Sequence, residues 1–258
     1  MASKNDGPQS IERVARILEC LTAEPVVGER LSDIADRCGY AKPIAHRTLN
    51  ALVDVGYVEQ DPETRRYRLG LEIFALAAAA GSRISILHLA QTAIAQLAAK
   101  HGDTFFLYVR NRTNAVCIDR ISGSFPIKAQ TINVGDRVPL GGSAGSLAIL
   151  ASVKEDELDR LIDINMPMLG HLSKFDPSRL HQLVAETRER GYALYEGAIV
   201  PGMSAAALPI HDGQRNVVAS ISIVALSDRL TRQRLPQIID DMAEAVRLIE
   251  QRAGYSRL

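Results

Sequence analysis

The chain has 258 residues, 47% of them hydrophobic and 23% charged, and its formal net charge is +0. That length gives one large domain or two modest ones, each able to bury its own core. The even balance removes any whole-chain attraction to a polyanion, so binding to nucleic acid would need a local basic patch.

The first 53 residues carry three short helical patterns. The first runs from about Ser10 to Thr22 with Ile11, Val14, Ile17, Leu18 and Leu21 on one face, and Ser10 is placed to cap it. The second begins at Ser32, again a capping type, and stops at Gly39. Pro43 suits the first turn of the third, which runs to about Asp54 and closes at Gly56. Ile44, Thr48, Leu49, Leu52 and Val53 are expected inside, leaving Pro43, His46, Arg47, Asn50 and Asp54 outside. The runs 57–60 and 65–69 flank an Asp61-Pro62 turn and predict a β-hairpin rich in arginine.

Leu71 to about Leu87 predicts one Ala- and Leu-rich helix that packs on a partner, followed by a second helix to about Lys100. From Thr104 the texture changes to β-rich runs, "TFFLYVR", "AVCIDRI" and a third at "PIKAQTI" (126–132). Helical patterns follow at about 154–163 and 177–190. A hairpin spans 204–226 with its turn at Asp212-Gly213, and the last helix covers about 232–252. An antiparallel sheet flanked by helices makes the second half an α+β domain.

Cys20, Cys38 and Cys117 are odd in number, far apart and without a C-x-x-C pair. They predict small buried thiols in a reduced compartment, not a disulfide framework or a zinc site. His88, His101, His171, His181 and His211 show no metal-ligand spacing, so neither metal nor cofactor is expected. "MASKNDGPQS" has no apolar signal core, and Ile73–Gly81 is too short to span a bilayer. The expectation is a cytoplasmic protein without a membrane partner.

Two features bear chemistry. Between Arg37 and Val53 there are three cations, Arg37, Lys42 and Arg47, and no acid. The hairpin adds Arg65, Arg66 and Arg68. A three-turn helix fits a DNA major groove, and a basic hairpin can grip the neighbouring backbone. The first 70 residues hold ten Lys and Arg against eleven Asp and Glu, so such binding must be directional. Lys42, Pro43, His46, Arg47, Asn50, Arg65 and Arg66 are the expected DNA-facing set. A solvated charged face is the plainer reading of the helix alone.

The second feature is Gly141-Gly142-Ser143-Ala144-Gly145, which matches the G-x-S-x-G elbow of serine hydrolases. His171, His181 and His211 follow it, so the order serine, acid, histidine stays open. Against it, Val138-Pro139-Leu140 makes a poor core strand. The alternative is a loop opening a helix, whose backbone N–H groups hold a small carboxylate. A sensor that controls a protein partner through its N-terminal module is a third reading.

Four segments, "SIERVARILECL", "LSDIADRCGYAKPIAHRTLNALVDVGYVEQDPETRRYRLG", "VGDRVPLGGSAGSLAILA" and "ERGYALYEG" with "VPGMSAAALPI", resemble the IclR family of bacterial transcription regulators. The resemblance implies residues 1–70 as a winged helix-turn-helix, 71–87 as a linker and dimerisation helix, and 88–258 as a GAF-like α+β effector-binding domain. It also implies a homodimer or homotetramer on palindromic double-stranded operator DNA, a role in controlling catabolic genes, and no enzyme activity. Ser143, Ala144 and Gly145 then hold the effector carboxylate, with Ser222 opposite. This chain has Tyr195-Glu196 where many relatives carry an acidic pair, and Ala205 and Val224 where some carry a cysteine and a second serine. Either Leu140, Met203, Ala205 and Val224 make the pocket apolar, suiting an aromatic carboxylate, or Ala205 and Val224 are simply strand residues of the core.

Overall fold

The computed structural model describes residues 6–24, 26–79, 82–128, 132–170 and 175–253. They divide into two units, Met1–Ile84 and Ser85–Leu258.

In the first unit, helices α1 (Asp6–Cys20), α2 (Leu31–Cys38) and α3 (Lys42–Asp54) precede the hairpin strands β1 (Val58–Gln60) and β2 (Tyr67–Leu69). Each element gives one apolar stripe to a shared core of Ile17, Leu21, Ile34, Leu49, Leu52, Val58 and Tyr67. Two expected caps are corrected. Ser10 lies inside α1, because Pro8 is tolerated in a first turn and the helix begins upstream. Ser32 lies inside α2, whose N-cap is Arg30. Glu29 exchanges both backbone hydrogen bonds with Tyr67 at 2.8 Å, and this bridge fixes the helix entry one turn position early. Gly39 closes α2 in the left-handed conformation (φ 70°), and Pro43 sits in the first turn of α3, as expected.

The inward stripe of α3 is Ala45, Leu49 and Leu52, whereas Ile44 is 37% exposed. Ile44 lies one residue, about 100° of helix, away from that stripe. Helix α4 (Leu71–Ala79) has no buried residue, and the next helix α5 (Ser82–His101) already contains 82–87. All described residues of the helix expected over 71–87 are helical. Residues 80–81 lie outside the described ones.

The second unit is built on a sheet of β3 (Thr104–Asn111), β4 (Asn114–Ser122), β5 (Arg137–Pro139), β6 (Ala193–Glu196), β7 (Met203–His211) and β8 (Val217–Leu226). Its order is β5-β4-β3-β8-β7-β6, with antiparallel pairing throughout. Alternate residues supply two cores. Phe105, Leu107, Ile221 and Ile223 pack with α5 and α9 (Leu235–Arg252). Phe106, Tyr108, Tyr195 and Ala207 pack with α6 (Ala144–Ala151), α7 (Glu155–Leu169) and α8 (Pro177–Arg190). At the first core's rim, buried Asp103 accepts from Arg229 Nε at 2.7 Å and pairs with Arg234 Nη1 at 2.7 Å.

The strand expected over 126–132 is absent from its described residues, with 129–131 outside them. The first part of the outer edge of β4 is already taken. Asn114 pairs with Pro139, Cys117 N–H donates to Asp136 at 3.0 Å, and Gly135 N–H donates to Cys117 at 2.7 Å. Strand β6 was not anticipated. Among the described residues, no helix is long and apolar enough to cross a membrane.

Candidate functional site

The start of α6 is set by Ser143. Its hydroxyl accepts the N–H of Ser146 at 3.1 Å, and Ser146 Oγ accepts the N–H of Ser143 at 2.9 Å. This reciprocal cap satisfies two of the donors a helix start leaves open. The Gly142 N–H is spent on the Pro139 carbonyl at 2.9 Å. Within the described residues, the N–H groups of Ala144 and Gly145 have no partner in the fold.

Ser143 and Ala144 border a cavity of about 280 Å³. Of the residues expected at the effector, Ser143, Ala144, Tyr195, Met203, Ala205, Ser222 and Val224 line it. Leu140 and Gly145 do not, and both are corrected. Leu140 is fully buried behind the wall, its N–H donating to Asn165 Oδ1 at 3.0 Å. Gly145 backs onto Tyr108, and a Cβ there would lie 2.3 Å from Tyr108 Cδ2. The glycine lets the phenol ring lie flat against the first turn of α6.

Sequence reasoning missed Tyr108, Arg137 and the apolar residues Ile132, Val138, Met168, Leu169, Ile199 and Val200. Tyr108 could have been found, since it shares the face of Phe106 in an alternating strand. Arg137 stands just upstream of the glycine loop, but nothing in the spacing says that it borders a cavity. Among the described residues it is the one charged member of the lining. Burial pushes the Tyr108 phenol above the ordinary 10.0 and Cys117 adds to the rise, while the neighbouring Ser143 side chain pulls it down. It stays neutral and able to donate. Burial also raises Tyr195, whose hydroxyl is spent on the Gly141 carbonyl at 2.6 Å, so that residue offers the cavity mainly its ring. Ser222 faces the cavity from β8, opposite Phe106 and Ala207 in register. The lining thus combines the Ala144 N–H, hydroxyls and one guanidinium with a larger apolar set.

A hydrolytic centre is not what surrounds Ser143. Its hydroxyl is a helix cap, and among the described residues no histidine lines the cavity. His181 Nε2 lies 3.4 Å from Asp159, and His211 Nδ1 lies 3.7 Å from Glu250 of α9, across the sheet. His171 lies outside the described residues.

In the first unit, Lys42, Pro43, His46, Arg47 and Asn50 are exposed on α3. Within the described residues, the side chains of Lys42, His46, Arg47, Asn50 and Arg65 make no hydrogen bond or ion pair. Other cations of the basic set are committed. Arg66 Nη1 donates to the Gly28 carbonyl at 2.8 Å, Arg68 pairs with Glu59 at 3.1 Å, and Arg37 pairs with buried Glu29 at 2.9 Å. The hairpin tip is held by Asp61 Oδ1, which accepts the N–H of Thr64 at 2.7 Å and of Glu63 at 3.1 Å. Arg65 follows in a left-handed conformation (φ 57°).

Residues 10–62 match the IclR helix-turn-helix domain, and residues 78–251 match the C-terminal domain of IclR bacterial transcriptional regulators. The HTH-type transcriptional regulator XynR of Escherichia coli is 27% identical over 254 residues, spanning 96% of this chain and 98% of that one. An IclR transcriptional regulator from Alicyclobacillus acidocaldarius superposes with a TM-score of 0.80 at 26% identity, covering 95% and 99% of the two chains. An IclR homologue from Microbacterium hydrocarbonoxydans, solved in complex with 4-hydroxybenzoate, has the same fold, with a TM-score of 0.79 at 23% identity over 96% and 100%. The similarity spans both units, the proteins it reaches are transcriptional regulators, and none of it supports the hydrolase reading: the chain belongs to the IclR family and is an HTH-type, DNA-binding transcriptional regulator, not an enzyme.

Proposed function

We propose that this regulator responds to a small aromatic carboxylate held in the second unit's cavity. The observation that carries the reading is the cavity's mixed lining, a few polar groups beside a larger apolar set. Arg137, the Tyr108 and Ser143 hydroxyls and the open Ala144 N–H offer positive potential and donors. The rest is Ile132, Met168, Leu169, Ile199, Met203, Ala205 and Val224, surface that a two- or three-carbon acid would leave unfilled. The 4-hydroxybenzoate bound by the Microbacterium homologue is of the same chemical class.

In this reading Lys42, Pro43, His46, Arg47 and Asn50 face the major groove of palindromic operator DNA and Arg65 meets the backbone. Arg66 shapes the hairpin through Gly28 and is left out of the DNA-facing set. Residues 1–70 are the reading domain and 88–258 the effector domain, in a cytoplasmic homodimer or homotetramer. The connecting stretch 71–87 dimerises through α4, where Leu71 is 72% and Phe74 71% exposed. The effector favours one arrangement of the assembly and so changes the spacing of its reading heads. Control of genes for aromatic-acid breakdown fits this ligand class.

Thermal unfolding of the purified protein against two sets of acids tests the ligand assignment. Benzoate- and cinnamate-type acids should raise the midpoint as their concentration passes Kd, and glyoxylate and pyruvate should not. A shift with the short acids alone would overturn the aromatic assignment.

A further inference from the structure

Cys20 and Cys38 stand 18 residues apart, yet they end two helices that pack side by side, and their sulfurs lie 2.8 Å from each other. Cys20 closes α1 and Cys38 closes α2. Cys38 is 5% exposed and Cys20 is only partly buried, so one thiol meets solvent and the other lies directly behind it. Arg37 fastens the same corner by donating to the Cys20 carbonyl at 3.2 Å, and the Cys38 thiol faces the Arg16 carbonyl at 3.7 Å. A disulfide needs sulfurs about 2.05 Å apart, so closing the bond asks for a movement of less than about 1 Å.

We propose that Cys20 and Cys38 form a dithiol that small disulfides oxidise to an intrachain bond, clipping α1 to α2 in the native fold. Partly exposed Cys20, as thiolate, attacks one sulfur of the oxidant and releases the first small thiolate. Cys38 then loses its proton and attacks the Cys20 sulfur, releasing the second. Two protein thiols become one disulfide, and one small disulfide becomes two thiols. Burial and the neighbouring Cys20 push the Cys38 thiol up to about 12, so it rests protonated and joins only as the second, intramolecular nucleophile. Chain order then gives the clip its meaning. Gly39, Tyr40 and Ala41 lead straight from Cys38 into α3, so the bond steadies the support of the DNA-reading helix. Cys117, fully buried in the other unit, takes no part.

The test treats the full-length protein with oxidised glutathione, blocks remaining thiols, digests with trypsin and maps the peptides by mass. The expected result is residues 17–30 cross-linked to 38–47, with free thiols falling from three to one. The unfolding midpoint of the oxidised protein should rise and return on adding dithiothreitol, because the cross-link restricts the unfolded chain. In Cys20→Ser the oxidant should leave the midpoint unmoved, and in Cys117→Ser the cross-link should persist. Three thiols remaining, glutathione left attached to Cys20, a cross-link between chains, or a lowered midpoint would each overturn the proposal. The peptide map needs no variant, so it stands even where a substitution prevents folding.

Discussion

Arg47 and Arg66 belong to one basic set in the sequence, and their surroundings give them different tasks. Arg47 is exposed on α3 with no bond to the fold, whereas Arg66 is anchored on Gly28. Arg47→Ala should weaken operator binding by about 1–3 kcal/mol if it meets a base. Arg66→Ala should instead loosen the hairpin, lowering stability by about 1 kcal/mol for the lost hydrogen bond, with a smaller effect on affinity. Fluorescence anisotropy beside thermal unfolding separates the two, and an unchanged affinity in Arg47→Ala would remove that residue from the interface. Gly145 shows the opposite hiding of a role. Its expected place was the ligand wall, but the space for a side chain is filled by Tyr108. Gly145→Ala should cost about 1–3 kcal/mol by overpacking. Truncating Tyr108 in the same chain should recover part of that loss, because residues in contact couple. Additive losses would show that the ring does not press on this glycine. Spacing predicts which face a residue occupies and is silent on which partner already holds it. That is why Arg37, Arg66 and Gly145 read differently once their neighbours are known.

At the scale of elements, long periodic segments were legible and short or capped ones were not. The hairpin of β7 and β8 and helices α8 and α9 follow from alternation and helical spacing that one face of a core enforces. Strand β6 has four residues and no period of its own. It exists because Ala193 and Tyr195 find Ala207 and Ala205 as partners in register. The described residues of the expected strand 126–132 form none, and β5 holds the outer edge of β4 at Asn114–Val116. Caps depend on where a helix is forced to begin. Ser10, Ser32 and Ser143 are alike as letters, yet only Ser143 caps, because the other two helices are entered upstream of their serines. Ser143→Ala should therefore lower stability by about 1 kcal/mol, read as a reduced unfolding midpoint without ligand. A midpoint equal to that of the unaltered protein would mean that Ser146 alone holds the start of α6. The site was legible on the strands and the glycine loop. Arg137 and the walls from α7 and the 199–200 stretch come from elements that only the folded chain brings together.

For the whole molecule the formal charge is +0, so its response to pH comes from particular groups and not from general repulsion. Two histidines of the second unit carry it. Burial holds His101 below the ordinary 6.5, and Asp241, 2.9 Å away, pulls upward without overcoming it. Burial likewise lowers His211 against the pull of Glu250. In the unfolded chain both regain their ordinary affinity for protons. Below about pH 6.5 the unfolded state therefore binds more protons than the folded one, and stability falls as pH falls. Above that range both states are neutral at these positions and the contribution is fully present. Asp241 works in a lower window. Burial opposes its charge, but hydrogen bonds from Lys100 and Gln237 outweigh that and hold it below 3.8, so its contribution is lost only in stronger acid. Between pH 7.5 and 5.5 the histidines alone should lower the unfolding midpoint of the second unit. His211→Gln should flatten that dependence while leaving the Cys20–Cys38 corner of the first unit untouched. Calorimetric scans at the two pH values decide it. A midpoint that rises on acidification would mean that the carboxylates win and that the imidazoles are charged in the folded state.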